Sequence, residues 1–332
     1  MLNNSMILFL TTMVLGTSIV ISSETWLGMW MGLEMNLISF IPILYKSKNM
    51  SSSESCMIYF LIQSLSSMLM LISVLLNSSI MISPVMGEEF INMALLLSMM
   101  IKLGVPPFHF WFPEILEKMP WASCAILMTW QKIAPLCVMS YITYNPILPF
   151  IITLSVIVGA IGGLNQTSLR KILGYSSINH MGWMIACIKF NNEFWLKYLM
   201  IYSSIILMMT TLFNLYSSFF INQVINSSPS FMEKSLIIIL FLSLGGLPPF
   251  IGFLPKWLVI QSMISSNSIT IMFIMIMSSL ITLFYYLRLI SSTLLIYSTS
   301  IKWNLNIKIN PNLTILMIMI NTSLPVIAML NF

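Results

Sequence analysis

Charge is what this sequence has least of. Only 7% of its residues are charged, against about one quarter in a typical soluble protein, and none of the 9 acids is an aspartate. With 58% hydrophobic residues and a mean hydropathy of +0.95, the chain is excluded from the soluble class and reads as an integral membrane protein. Cysteine is scarce too. Cys56, Cys124, Cys137 and Cys187 fall within or at the start of apolar runs, without CxxC or Cys/His ligand spacing, which argues against a metal site or a disulfide framework. Gly159, Gly162 and Gly163 do not make GxGxxG and follow no strand, so they read as helix-packing residues. No nucleotide motif, haem ligation or iron–sulfur spacing occurs. The first apolar segment lacks a basic n-region and a small-residue cleavage site, and is expected to stay as a span. No Arg-rich transit sequence precedes it.

What is present is a succession of apolar runs near the roughly 20 residues needed to cross a bilayer. They predict an all-α integral membrane fold of eleven spans. The first six are Ser5 to Ile21, Trp26 to Tyr45, Cys56 to Leu76, Phe90 to Phe110, Trp121 to Tyr141 and Ile147 to Leu164. The rest are Ile172 to Ile188, Phe194 to Phe220, Leu236 to Gln261, Ser268 to Ile290 and Leu313 to Leu330. Run length and composition favour helices over barrel strands. The most loop-like stretches, SKNMSSSES (47–55) and INSSPS (225–230), do not resemble linkers, so one polytopic domain is expected.

With eleven spans, Lys46, Lys48, Lys118, Arg170, Lys171, Lys234, Lys302 and Lys308 fall on the N-terminal side of the membrane, and only Lys189 and Lys197 on the other. The excess puts the N-terminus in the compartment where the chain is made and explains the net charge of +5 without nucleic acid.

Lys102, Lys132, Lys256 and Arg288 remain inside or at the ends of spans, and Glu34 lies well within one. A central charge costs roughly 2.5–3.5 kcal/mol on insertion scales, so such groups need partners, water or a task. One buried Glu–Lys pair can simply join helices, and Lys102 and Arg288 near span ends can snorkel. An excess of lysines is less easily explained as a structural pair. Burial and a neighbouring lysine disfavour the charged amine while a nearby carboxylate favours it, and lysines in that balance exchange protons near neutral pH. His109 and His180 are further relay candidates that rank below the lysines, because a lone histidine on a helix is more often a packing residue.

LGVPPFHFWFPEIL (103–116) laid over GGLPPFIGFLPKWL (245–258) matches at six of fourteen positions, an internal repeat. The copies fall on the fourth and ninth spans, so they are expected to cross in opposite directions as an inverted pair. Prolines 106, 107, 248 and 249 are expected to interrupt each helix, which lipid tolerates only where protein or water satisfies the freed backbone. The charges are not duplicated: Lys102 aligns with Leu244, and Lys256 with Glu114. A bland alternative is that the prolines only kink a helix.

WLGMWMGLEMNLISFIP, KLGVPPFHFWFPEIL, MTWQKIAPL, GAIGGLNQTSLRKILGYSSINHMGW and SLGGLPPFIGFLPKW closely resemble the chain 2 family of mitochondrial NADH:ubiquinone oxidoreductase, respiratory complex I. The resemblance runs from Trp26 to Arg288, and the high methionine content resembles arthropod mitochondrial members. It implies an antiporter-like membrane-arm subunit of two inverted five-helix units, 1–145 and 146–292, with a loop and final helix over 293–332. On matching positions it implies that Glu34 is the coupling glutamate, Lys102 its partner, Lys132 the central lysine and Lys256 the terminal lysine on the second broken helix. It also implies the inner mitochondrial membrane, an N-terminus in the matrix and a C-terminus in the intermembrane space. Implied partners are the small membrane chains and chain 4 of the same arm, with membrane lipid such as cardiolipin. NADH, FMN, iron–sulfur clusters and ubiquinone are implied to be used by other subunits. A stand-alone cation/proton antiporter and a structural spacer without its own proton path remain as alternatives.

Overall fold

The computed structural model describes residues 4–45, 50–79, 84–142, 146–226, 231–295 and 311–324. Lys46, Lys48, Lys302, Lys308 and the end of the expected last span lie outside these residues. Helix dominates throughout, as expected of a chain whose backbone groups must pair within their own segment in lipid. The only pairing of extended type among the described residues is a single bridge between Ser168 and Phe220.

The chain divides into two compact units, Met1–Ile151 and Ile152–Phe332. The first holds α1 (Asn4–Ser22), α2 (Trp26–Leu44), α3 (Met50–Ser79), α4 (Pro84–Leu103), α5 (Trp111–Lys118), α6 (Trp121–Met128) and α7 (Ile133–Met139). Here α1 packs along α2, α3 runs between α2 and α4, and α7 closes against α1, α2 and α4. The α2 helix starts at Thr25, whose hydroxyl accepts from the Gly28 amide at 3.2 Å and satisfies one orphan donor of the first turn.

In the second unit α9 (Leu169–Phe190) is surrounded by α10 (Phe194–Leu215), α13 (Phe253–Ser265) and α14 (Ile269–Leu295), while α12 (Phe231–Gly245) packs on α10, α14 and α15 (Pro311–Asn321). The short α11 (Ile221–Asn226) leans on α14. The α8 helix (Leu148–Gly162) approaches α9 closely at small residues: a Cβ on Gly159 would sit 2.5 Å from the Asn179 amide, and one on Gly182 would meet Val156. Gly159 is a packing residue, as the sequence suggested, and Gly182 is another.

Six described helical stretches are long and apolar enough to cross a membrane: Ser5–Ser22, Trp26–Leu44, Met50–Leu76, Trp121–Met139 (α6 to α7), Phe194–Leu215 and Ile269–Leu294. The other expected spans differ for identifiable reasons. The fourth ends at Leu103 rather than Phe110, and the ninth is split into α12 and α13. The seventh is a 22-residue helix carrying Ser176, Ser177, Asn179 and His180, with every residue from Ile172 to Ile188 except Tyr175 buried. The sixth and last form shorter apolar helices, Leu148–Gly162 and Asn312–Asn321.

Glycine, not proline, ends the two broken helices. At the end of α4, Gly104 has φ +67°, its amide donates to Ile101 O at 3.2 Å, and the Val105 amide donates to Met100 O at 3.0 Å. At the end of α12, Gly246 has φ +80°, its amide donates to Ser243 O at 3.0 Å, and the Leu247 amide donates to Leu242 O at 3.2 Å. Both are Schellman caps with glycine in the left-handed position, and the proline pairs follow two residues later, where a helix cannot resume. The repeat seen in the sequence is thus a repeat of one backbone turn.

Candidate functional site

In the first unit the break at Gly104 leaves Lys102 in the last turn of α4, buried to 6% exposure. A second break brings Lys132 beside it. Between α6 and α7 the chain tightens into a single 3₁₀ turn, Trp130–Lys132. Pro135 lacks the amide that would otherwise bond the Gln131 carbonyl, so a continuous α-helix cannot form there. Lys132 is 2% exposed, with its ammonium 5.7 Å from the centre of the Phe112 ring.

Lys102 and Lys132 line one cavity, partly open, whose space free of protein atoms is about 430 Å³ with the open region at its mouth included. Its polar lining is completed by Asn36, Tyr59, Gln63 and Gln131, and none of the described lining residues is acidic. Gln131 joins three helices: its amide nitrogen donates to Asn36 Oδ1 at 3.1 Å, and its carbonyl oxygen accepts from Tyr59 Oη at 3.4 Å. The two amines share this cavity with neutral amides. The surrounding donors and acceptors suit water.

In the second unit Lys256 sits in the first turn of α13, at 6% exposure. It folds back on the end of α12, donating to Gly245 O at 2.7 Å and Leu244 O at 3.4 Å, with its ammonium 5.8 Å from the Trp183 ring. A cation on the carbonyl end of a helix meets both orphan acceptors and the negative end of the dipole. The equivalent carbonyl of the first unit, Lys102 O, accepts instead from Gln63 Nε2 at 3.1 Å. Gly246 is required twice over, since it has positive φ and a Cβ there would fall 2.7 Å from Lys256 Cδ.

The remaining predicted residues are placed differently. Glu34 is half-buried on α2, and its charge acts on Lys102, yet no ion pair closes between them within 4.0 Å. Neither it nor His109 is among the residues lining the cavity. His109 is buried in the turn after Gly104, against the Phe110 ring, and its Nδ1 has no hydrogen-bond partner among the described residues. His180, in the second unit, meets Tyr198 Oη at 2.8 Å through Nδ1. Arg288 is a clamp: its guanidinium donates to Leu164 O and, at 3.1 Å, to Gln166 O, holding the loop after α8. Sequence reasoning missed Asn36, Tyr59, Gln63 and Gln131. Among the described residues, no three His, Cys or Glu side chains gather as a metal site would require.

A helical membrane chain that keeps buried lysines at broken helices has the groups that handling ions or protons within lipid requires. A sequence-family profile described as "NADH:quinone oxidoreductase/Mrp antiporter, TM" matches residues 23–282. Among relatives, NADH-ubiquinone oxidoreductase chain 2 of Locusta migratoria is 44% identical over 93% of this chain and 92% of its own length. That of Anopheles gambiae is 42% identical over 95% and 93%, and that of Ovis aries 38% identical over 98% of each. Among solved structures, respiratory complex I from Thermus thermophilus with bound aureothin contains a chain that superposes with a TM-score of 0.83. It is 21% identical, over 95% of this chain and 75% of that one. The Mrp complex from Dietzia sp. gives a TM-score of 0.74 at 15% identity, over 86% of this chain and 59% of its own. The chain belongs to the NADH-ubiquinone oxidoreductase chain 2 family.

Proposed function

We propose that the chain is a core membrane-arm subunit of respiratory complex I that takes part in moving protons across the inner mitochondrial membrane as electrons pass from NADH to ubiquinone. The redox groups, NADH, FMN, iron–sulfur clusters and ubiquinone, are handled by other subunits. The carrying observation is that Lys102 and Lys132 share one buried cavity without an acidic residue in its described lining. In this reading the Glu34 charge holds the proton on Lys102. Weakening that influence lets Lys102 release or pass it, and the altered field shifts the balance at Lys132. Coupling between unit charges about 4 to 8 Å apart is about 2–4 kcal/mol at an effective dielectric of 20. Moving one charge through 100 mV needs about 2.3 kcal/mol, so the magnitudes match. In the second unit, Lys256 exchanges its proton while leaving or regaining the end of α12, with His180 as a further acceptor; His109 is the corresponding candidate in the first.

The reading includes eleven spans arranged as two inverted five-helix units (1–145 and 146–292) and a final helix. The N-terminus is in the matrix and the C-terminus in the intermembrane space. The small membrane chains, chain 4 and lipid, including cardiolipin, are its neighbours. Lys132→Met tests it. The assembled complex is expected at normal abundance with coupled turnover reduced at least tenfold; normal turnover with unchanged proton stoichiometry would overturn the reading.

A further inference from the structure

In the second unit three helices bring hydroxyls together along one buried face of α9. Tyr198 and Tyr202 stand one turn apart on α10, and Tyr285 and Tyr286 are neighbours on α14. All four are 2% exposed or less. Tyr198 Oη is the partner of His180, and the Tyr202 ring centre lies 4.9 Å from the imidazole. The Tyr202 hydroxyl meets Ser177. One residue earlier on α9, Ser176 faces the Tyr286 hydroxyl, and the Tyr285 ring centre is 4.6 Å from that of Tyr286. Tyr285 then passes the end of α8, where a Cβ on Gly163 would lie 2.8 Å from its Cε1. The series therefore runs from His180 down α9 to the loop 164–168, which Arg288 holds through Leu164 O and Gln166 O.

Packing alone does not call for these hydroxyls. Phe213 and Phe241 continue the same aromatic cluster without them, Phe241 lying 5.6 Å from Tyr286. Yet Tyr285 Oη and Tyr286 Oη face each other and Ser176 without closing a hydrogen bond of good geometry, and Asn179 Oδ1 is buried without a hydrogen-bond partner among the described protein groups. Buried polar atoms short of protein partners are sites that an ordered water completes where there is room for one. A hydroxyl both donates and accepts, so alternating hydroxyls and water pass protons without any tyrosine ionising.

We propose that Tyr285, Tyr286, Tyr202 and Tyr198, joined by water, form a proton path along α9 between the loop 164–168 and His180. The proposal rests on the proton-handling role given above and names the groups that would serve it in the second unit. The protons balance at each step. His180 accepts one at Nδ1 from Tyr198 Oη, Tyr198 receives one from the next water or hydroxyl, and so on to the loop, where solvent supplies the last.

The double substitution Tyr285→Phe with Tyr286→Phe, made in the assembled complex, keeps both rings and removes both hydroxyls. Coupled NADH:ubiquinone turnover is expected to fall at least fivefold, with a larger solvent deuterium isotope effect and normal assembly. Unchanged turnover and isotope effect would overturn the path. Lys132→Met, measured in parallel, separates the two claims. If it abolishes turnover while the tyrosine variant behaves as wild type, only the path is wrong; if both behave as wild type, the proton reading fails as well. Should the double variant not assemble, Tyr286→Phe alone is read by the same two measurements.

Discussion

Lys102, Lys132 and Lys256 stood out in the sequence because an ammonium in an apolar run has few cheap explanations, and the structure buries all three. Their surroundings were not legible. Asn36 on α2, Tyr59 and Gln63 one turn apart on α3, and Gln131 in the 3₁₀ turn come from three separate segments, and nothing in one sequence says that they converge. Gly246 was hidden behind the adjacent prolines, although it carries both the positive φ and the space for Lys256. Gly246→Ala is expected to destabilise the chain by about 1–2 kcal/mol for the left-handed backbone alone, and to lower turnover further by displacing Lys256. Gly104→Ala, with φ +67° but no lysine against it, bears only the backbone and local packing cost. Thermal dissociation of the complex and its coupled turnover, compared for the two variants, check this; equal turnover losses would show that Lys256 is a bystander.

Helix breaks are the element on which the site is built, and only some were readable. The two proline pairs marked the right places, but placed the end of α4 several residues late because a Schellman cap stops a helix before the prolines do. The 3₁₀ turn at Trp130–Lys132 was read as uninterrupted helix, although Pro135 removes the amide that the Gln131 carbonyl would use. Restoring that amide with Pro135→Ala lets α6 and α7 join, and is expected to leave assembly intact while turnover drops severalfold as Lys132 rotates in the cavity. Native-gel abundance with a turnover assay measures both; a fully active variant would show that the break is incidental. Gln63→Leu withdraws the donor from the Lys102 carbonyl and should cost about 1–3 kcal/mol, read as a lowered dissociation temperature.

At the scale of the whole molecule, membrane residence was the most legible property, since scarcity of charge and repeated apolar runs leave no soluble alternative. The outer surface agrees with it. On α3, Met57, Leu61, Leu65, Met68 and Ile72 form a stripe of exposed apolar residues at helical spacing, facing lipid or a neighbouring subunit. Leu65→Lys should weaken membrane insertion of this segment by about 2.5–3.5 kcal/mol in an insertion assay. By contrast, the exposed Lys118–Glu54 pair linking α5 to α3 is expected to contribute under about 1 kcal/mol. The seventh expected span, Ile172 to Ile188, falls on α9, a helix buried in its own unit that carries polar residues which hydropathy counts against it. The inward-facing lysines gain meaning only if water reaches them. A map of the intact complex at a resolution that shows ordered water therefore bears most directly on this account. Water joining the Lys102 and Lys132 amines through the cavity is the predicted result, and a dry cavity in every state of the turnover cycle would contradict it.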